Sequence, residues 1–129
     1  MKKVVLLDDD LDDAELFQEA LEEMNDHWDF QHFENAQAAL AAWTGAKEKL
    51  PDVIFLDLNL PQFSGWEILQ QLRQSDHLAA IPVIMYTTSS RKNESELARD
   101  LGANFFITKP SDYNELKRLL AEVLTNVFV

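Results

Sequence analysis

The chain has 129 residues, 47% of them hydrophobic and 26% charged, with a formal net charge of −12 and no cysteine. That length carries one domain with a real core; the acidic balance disfavours nucleic acid and anionic lipid as partners, and disulfides and thiolate chemistry are excluded. No apolar run approaches a membrane span, and the opening Met1-Lys2-Lys3-Val4 lacks the long apolar region of a signal peptide, so the cytoplasm is the expected compartment.

Apolar runs alternate with amphipathic ones along the whole chain. Lys3–Leu7 reads as a buried strand, and Asp10–Met24 as a helix with Ala14, Phe17, Leu21 and Met24 on one stripe. Trp28–Phe33 is a shorter, more polar strand, expected at a sheet edge. Asn35 is placed to cap a helix running to Ala46, with Ala36, Leu40 and Trp43 turned inward. Pro51–Asp57 is the third strand, Pro61 to Gly65 a loop, and Trp66–Arg73 a helix. Pro82–Thr87 is the fourth strand. Asn93–Leu101 is a helix with Gly102 at the position after its end. Phe105–Lys109 is the fifth strand. The last helix, Asp112–Thr125, opens on an Asp112…Glu115 capping box. Five βα units in strict alternation predict one domain over 1–129, a parallel sheet with helices on both faces. No linker, repeat or low-complexity segment suggests a second domain.

Each buried run ends on polar groups: Val4-Val5-Leu6-Leu7 on Asp8-Asp9-Asp10, Val53-Ile54-Phe55-Leu56 on Asp57, Met85-Tyr86 on Thr87-Thr88, and Phe105-Phe106-Ile107-Thr108 on Lys109-Pro110. In parallel strands these groups share the carboxyl edge of the sheet, where open α/β sheets bind ligands. Clustered carboxylates repel one another, and a hard divalent cation such as Mg²⁺ relieves that repulsion while accepting phosphate oxygens. Only one or two of the three adjacent Asp side chains can point to one spot, and a plainer role for Asp10 is to cap the first helix. Asp57 reads either as a capping or turn residue or as a functional one, a metal ligand or a nucleophile that forms an aspartyl phosphate. Lys109 offers a point charge to a phosphoryl oxygen or to Asp57. A cis Lys109-Pro110 bond would fix the turn that aims it. Thr87 offers a hydroxyl.

The combination of Leu6-Leu7-Asp8-Asp9-Asp10, Asp57-Leu58-Asn59-Leu60-Pro61 with Ser64-Gly65, Thr87-Thr88, Gly102-Ala103 and Lys109-Pro110 resembles the receiver domain of response regulators, the phospho-acceptor half of two-component signalling. The likeness runs from Val4 to the final helix. It implies a flavodoxin-like (βα)5 three-layer sandwich with strand order 2-1-3-4-5, an order for which a chemotaxis receiver is a standing example. It implies Asp57 as phosphoacceptor, with Asp9, Asp57 and the Asn59 backbone carbonyl on Mg²⁺ and Asp8 acting through water. Thr87 and Lys109 would hold phosphoryl oxygens, and Phe106 would turn inward when Thr87 moves. The implied donor is a sensor histidine kinase or histidine phosphotransfer protein. The implied output is an unidentified protein bound at the face of the fourth helix, fifth strand and last helix, without direct nucleic-acid or membrane contact. A stand-alone receiver is expected, catalysing only its own phosphorylation and dephosphorylation. Three positions depart from the usual pattern: Phe106 for Tyr, the branched Thr88 for a smaller residue, and Asn104-Phe105 for an Asp pair.

His27, His32 and His77 have no metal-ligand spacing and are expected outside the strand-end cluster. Trp66, just past Gly65, is a candidate neighbour of the site, and Val127-Phe128-Val129 either packs as a last turn or forms an exposed patch. Two alternatives remain: an adaptor of the same fold that works without phosphorylation, and an Asp/Mg²⁺ phosphohydrolase. The second would want D-x-D-x-[TV], and Asp8-Asp9-Asp10-Leu11-Asp12 has neither Thr nor Val at the last place.

Overall fold

In the computed structural model, residues 1–24, 27–45, 49–60, 63–89 and 91–128 are described. They form β1 (Lys2–Leu7), α1 (Leu11–Glu23), β2 (Trp28–Phe33), α2 (Ala36–Thr44), β3 (Val53–Leu56), α3 (Gly65–Gln74), β4 (Val83–Thr87), α4 (Lys92–Asp100), β5 (Phe105–Thr108) and α5 (Tyr113–Val127). All five strands are parallel, in the order β2-β1-β3-β4-β5. The fold is therefore the expected flavodoxin-like one. β2 lies at an edge as anticipated, although at six residues it is as long as β1. The Ala46 end proposed for the second helix, Pro61 of the expected loop and Val129 lie outside the described residues.

Alternation along the central strands divides the core into two layers. Val5, Leu7, Ile54, Leu56, Val83 and Met85 face α2, α3 and α4, whereas Val4, Leu6, Val53, Phe55, Ile84 and Tyr86 face α1 and α5. Both faces are covered, which is why these strands read as continuous apolar runs. Phe17 of α1 anchors the second layer, stacking on Phe30 and meeting Phe55 and Tyr86 edge-on. On α2 the buried positions are Ala36, Ala39 and Trp43, with Leu40 only half-buried. Phe128 stacks on Trp28, so the apolar carboxyl-terminal turn packs instead of forming an exposed patch.

Caps fix where the helices begin. Asp10, Asn35, Ser64 and Asp112 each accept a backbone N–H from the first turn of α1, α2, α3 and α5. Only half of the expected box opens α5, because Glu115 turns its carboxylate to Arg118. Gly102 follows α4 with φ of 103°, and a Cβ there would lie 2.9 Å from Arg73 Nε. Arg73 uses that space to donate to the carbonyls of Gly102, Ala79 and Ile81. Asn104, one of the departures noted above, accepts from Arg73 and from the Val83 amide and so pins the start of β5 to β4.

Candidate functional site

Register places the polar strand ends side by side. Leu7 pairs with Leu56, and the Asp57 amide then donates to the Leu7 carbonyl at 3.0 Å, so Asp8 and Asp57 leave neighbouring strands together. Thr87 pairs with Thr108 on the other side, and the Lys109 amide donates to the Thr87 carbonyl at 2.6 Å. Gly65 brings α3 against the end of β3: a Cβ there would lie 2.5 Å from the Asp57 carbonyl oxygen.

One oxygen from each of Asp8, Asp9 and Asp57 falls within a 4.8 Å group. Asp10 is not part of it; its Oδ1 accepts the Asp13 amide at 3.1 Å, which is the capping role. Asp8 is fully buried and Asp57 nearly so, whereas Asp9 is exposed. Asp8 Oδ1 accepts the Asp10 amide at 3.0 Å, and Asp57 Oδ1 accepts the Asn59 amide at 3.2 Å. Lys109 Nζ lies 2.7 Å from Asp8 Oδ2, 2.9 Å from Asp13 Oδ2 and 3.2 Å from Asp57 Oδ2. Its aligned hydrogen bonds go to Asp13 and Asp57, and among the described residues no donor is aligned with the buried Asp8 Oδ2. Every peptide bond described is trans, so no cis Lys109-Pro110 bond aims the ammonium; the three carboxylates do.

Electrostatics follow from crowding and burial. Burial pushes the Asp8 carboxyl up to about 6, against the downward pull of the Lys109 ammonium and the Asp10 amide. For Lys109 burial acts downward, but the adjacent carboxylates of Asp8 and Asp13 outweigh it and hold the ammonium above its ordinary range. The set is all oxygen, hard and short of positive charge, with one buried oxygen lacking a directed donor. These residues fit a small divalent cation.

Thr87 is buried beside this cluster and its Oγ1 accepts the Ser89 amide at 3.3 Å. Thr108 Oγ1 donates to the Ser89 carbonyl, and Ser89 Oγ donates to Glu94 in the first turn of α4. Thr87 and Met85 share a face of the sheet, and Phe106 pairs with Met85, half-buried on the same core layer. Thr88 is exposed. Trp66 is half-buried against the core layer under α3, with no hydrogen bond or ion pair into the cluster among the described residues.

Two neighbours of the cluster escape a reading of the sequence. Asp13 reaches Lys109 across 96 residues of chain; the signal available was its place one turn after the Asp9-Asp10 pair. His32, set aside above, places Nε2 2.6 Å from the Asp8 carbonyl oxygen. Its place near the carboxyl end of β2, opposite Leu6, was the available signal. His27 and His77 do stand apart from the cluster, His77 contacting the Trp43 carbonyl oxygen.

Comparison with known proteins relates the chain to response regulators. The chain is 31% identical over 123 residues to a probable methanogenesis regulatory protein, FilR2, of Methanothrix harundinacea, covering 93% of this chain and 79% of that one. It is 29% identical over 123 residues to the response regulator Rcp1 of Synechocystis sp., covering 92% and 84%. Among solved structures, the Mn²⁺-bound form of Rcp1 superposes with a TM-score of 0.86 at 28% identity, covering 95% of this chain and 91% of that one. The phosphorylated cyanobacterial phytochrome response regulator RcpA superposes with a TM-score of 0.86 at 31% identity, covering 95% and 90%. The family model of the response regulator receiver domain matches residues 4–121, a span that includes every strand end described above. With strand order, edge chemistry and family match in agreement, the chain belongs to the response regulator receiver domain family.

Proposed function

We propose that Asp57 is the phosphoacceptor of this receiver domain and that Mg²⁺ assists the transfer. The observation that carries this is the convergence of Asp8, Asp9 and Asp57 oxygens beside the Lys109 ammonium at the end of β3. An Asp57 carboxylate oxygen attacks phosphorus of a phosphohistidine on a sensor histidine kinase or phosphotransfer protein. A P–O bond forms to Asp57, the P–N bond breaks, and its electron pair leaves with the imidazole. With acetyl phosphate the leaving group is acetate. Lys109 faces the charge that builds on the phosphoryl oxygens, and the Thr87 hydroxyl supplies a further donor. Asp9, Asp57 and the Asn59 carbonyl, with Asp8 behind, would hold a divalent cation, which would supply positive charge against the carboxylates and the incoming phosphoryl oxygens. The Mn²⁺-bound and phosphorylated states named for two structural relatives support both halves of this reading.

Receiver domains are signalling modules, not enzymes acting on a separate substrate. The chemistry proposed here is confined to phosphorylation and dephosphorylation of Asp57. Output follows from Thr87. A phosphoryl group draws its hydroxyl inward and away from the Ser89 amide, and Phe106 moves into the space released. The surface of α4, β5 and α5, where Leu97 is exposed and Leu101 and Phe106 are half-buried, then presents a new shape to a protein partner. No helix among the described residues is long and apolar enough to cross a membrane.

Intact mass after incubation with acetyl phosphate and Mg²⁺ tests the acceptor. Wild type is expected to gain one phosphoryl group and Asp57→Asn none. Phosphorylated Asp57→Asn would remove the assignment.

A further inference from the structure

We propose that Asp13 is a positioning residue that competes with the phosphoryl group for the Lys109 ammonium, an inference that rests on Asp57 being the acceptor. An ammonium has three N–H donors. In this structure Lys109 spends its two aligned bonds on Asp13 and Asp57, while Asp8 sits at ion-pair distance. Both aligned donors are taken and Asp8 lies close without an aligned bond, so a phosphoryl group on Asp57 shares the ammonium with Asp13 and Asp8 unless one of them withdraws.

The three acceptors differ in where they can go. Asp8 has no exposed surface and its Oδ1 is tied to the Asp10 amide. Asp57 carries the phosphoryl group itself. The Asp13 side chain is 32% exposed, and only its backbone is pinned, through the amide donated to Asp10. Its carboxylate can turn to water at little cost, whereas withdrawing the buried Asp8 carboxylate from its cation carries a desolvation penalty. Asp13 is therefore the arm that releases. While it holds on, it draws the ammonium toward α1 and adds negative charge beside a phosphoryl group that is itself negative.

Two opposite effects follow from removing it. The phosphoryl mimic should bind tighter, because Lys109 is free and one repelling charge is gone. Mg²⁺ alone should bind more weakly, because the cation loses a neighbouring carboxylate while Lys109 turns more fully to Asp8 and Asp57. Loss of packing or helix stability would weaken both together.

Beryllofluoride, the mimic, is titrated in saturating Mg²⁺, and Mg²⁺ is titrated alone, into wild type, Asp13→Asn, Asp13→Glu and Asp12→Asn, following Trp fluorescence. Asp12 is exposed, lies in the same helical turn and carries the same charge, but makes no hydrogen bond or ion pair to Lys109 among the described residues. Asp13→Asn should bind beryllofluoride about threefold to fivefold tighter, the scale of one partly exposed ion pair, and Mg²⁺ about twofold more weakly. Asp13→Glu should lie near wild type, and Asp12→Asn should change neither by as much. Equal behaviour of Asp13→Asn and Asp12→Asn, or weaker beryllofluoride binding in Asp13→Asn, overturns the role of Asp13. Failure of wild type to bind beryllofluoride overturns the Asp57 reading beneath it.

Discussion

Each end of the sheet buries a lysine, and the two are surrounded in opposite ways. At the amino end, Lys3 donates Nζ to the Lys49 carbonyl at 3.0 Å and its backbone amide to Asp52 at 2.6 Å. Lys49 in turn donates to the Met1 carbonyl and pairs with Asp52. Among the described residues, two carbonyls and one carboxylate there answer two ammonium groups, with no crowding of like-charged acids. At the carboxyl end, Lys109 stands among Asp8, Asp13 and Asp57, with Asp9 close by. One ammonium cannot neutralise four carboxylates. The first end ties β1 to the segment before β3; the second carries excess negative charge, which suits it to a divalent cation.

The widest gap between the ends should appear when each lysine is removed. Lys109→Ala leaves buried carboxylates without their cation and is expected to cost about 3 kcal/mol in chelator. Mg²⁺ should restore part of that loss. Lys3→Met gives up one hydrogen bond to a carbonyl and should cost about 1 kcal/mol, with no dependence on Mg²⁺. Urea melts with and without Mg²⁺ measure both. Equal losses that ignore Mg²⁺ would erase the contrast.

The pH dependence of stability sharpens it further. Asp8 titrates near 6 in the fold, raised by burial from an ordinary value of 3.8. Between those values the folded state binds more protons than the unfolded state. Its contribution is therefore fully present below the ordinary value and is lost as pH rises through about 6. Asp8→Asn should remove that decline and gain about 2 kcal/mol at pH 8 in chelator. In wild type, Mg²⁺ affinity should fall as pH drops below about 6, because a proton and the cation compete at the carboxyl end. A flat stability profile in wild type, or Asp8→Asn and Asp9→Asn both destabilising, would mean that the acids are structural supports.

A smaller effect separates chemistry from output within the carboxyl end. Thr87→Ala removes the acceptor of the Ser89 amide and should cost about 1 kcal/mol. It should still be phosphorylated, yet hydrogen exchange over 92–112 should respond less to beryllofluoride than in wild type. An undiminished response in the variant would remove Thr87 from the coupling.

Much of this was readable from one line of sequence, for a physical reason. Strands covered on both faces must be apolar until they reach the edge, so Asp8, Asp57, Thr87 and Lys109 stand out where the runs stop. What was hidden depends on which atoms the fold brings together. The bond between Asp13 and Lys109 exists only because α1 and the end of β5 meet across the sheet edge. His32 looked idle because its partner is a backbone carbonyl, and backbone groups leave no mark in composition. Asp10 was indistinguishable from its two neighbours until the helix start was fixed by its cap. Asn104 looked like a missing charge and instead binds the Val83 amide and Arg73.

The central claim is that the excess negative charge at the carboxyl end equips Asp57, and no other acid there, to carry a phosphoryl group. An aspartyl phosphate is reduced by borohydride to homoserine, which marks the acceptor in the chain. The protein is treated with acetyl phosphate in Mg²⁺ or in chelator, reduced, digested and sequenced by tandem mass spectrometry. Homoserine at position 57, formed in Mg²⁺ and strongly diminished in chelator, is the predicted result. Homoserine at Asp8, Asp9 or Asp13, or at no position, would contradict it.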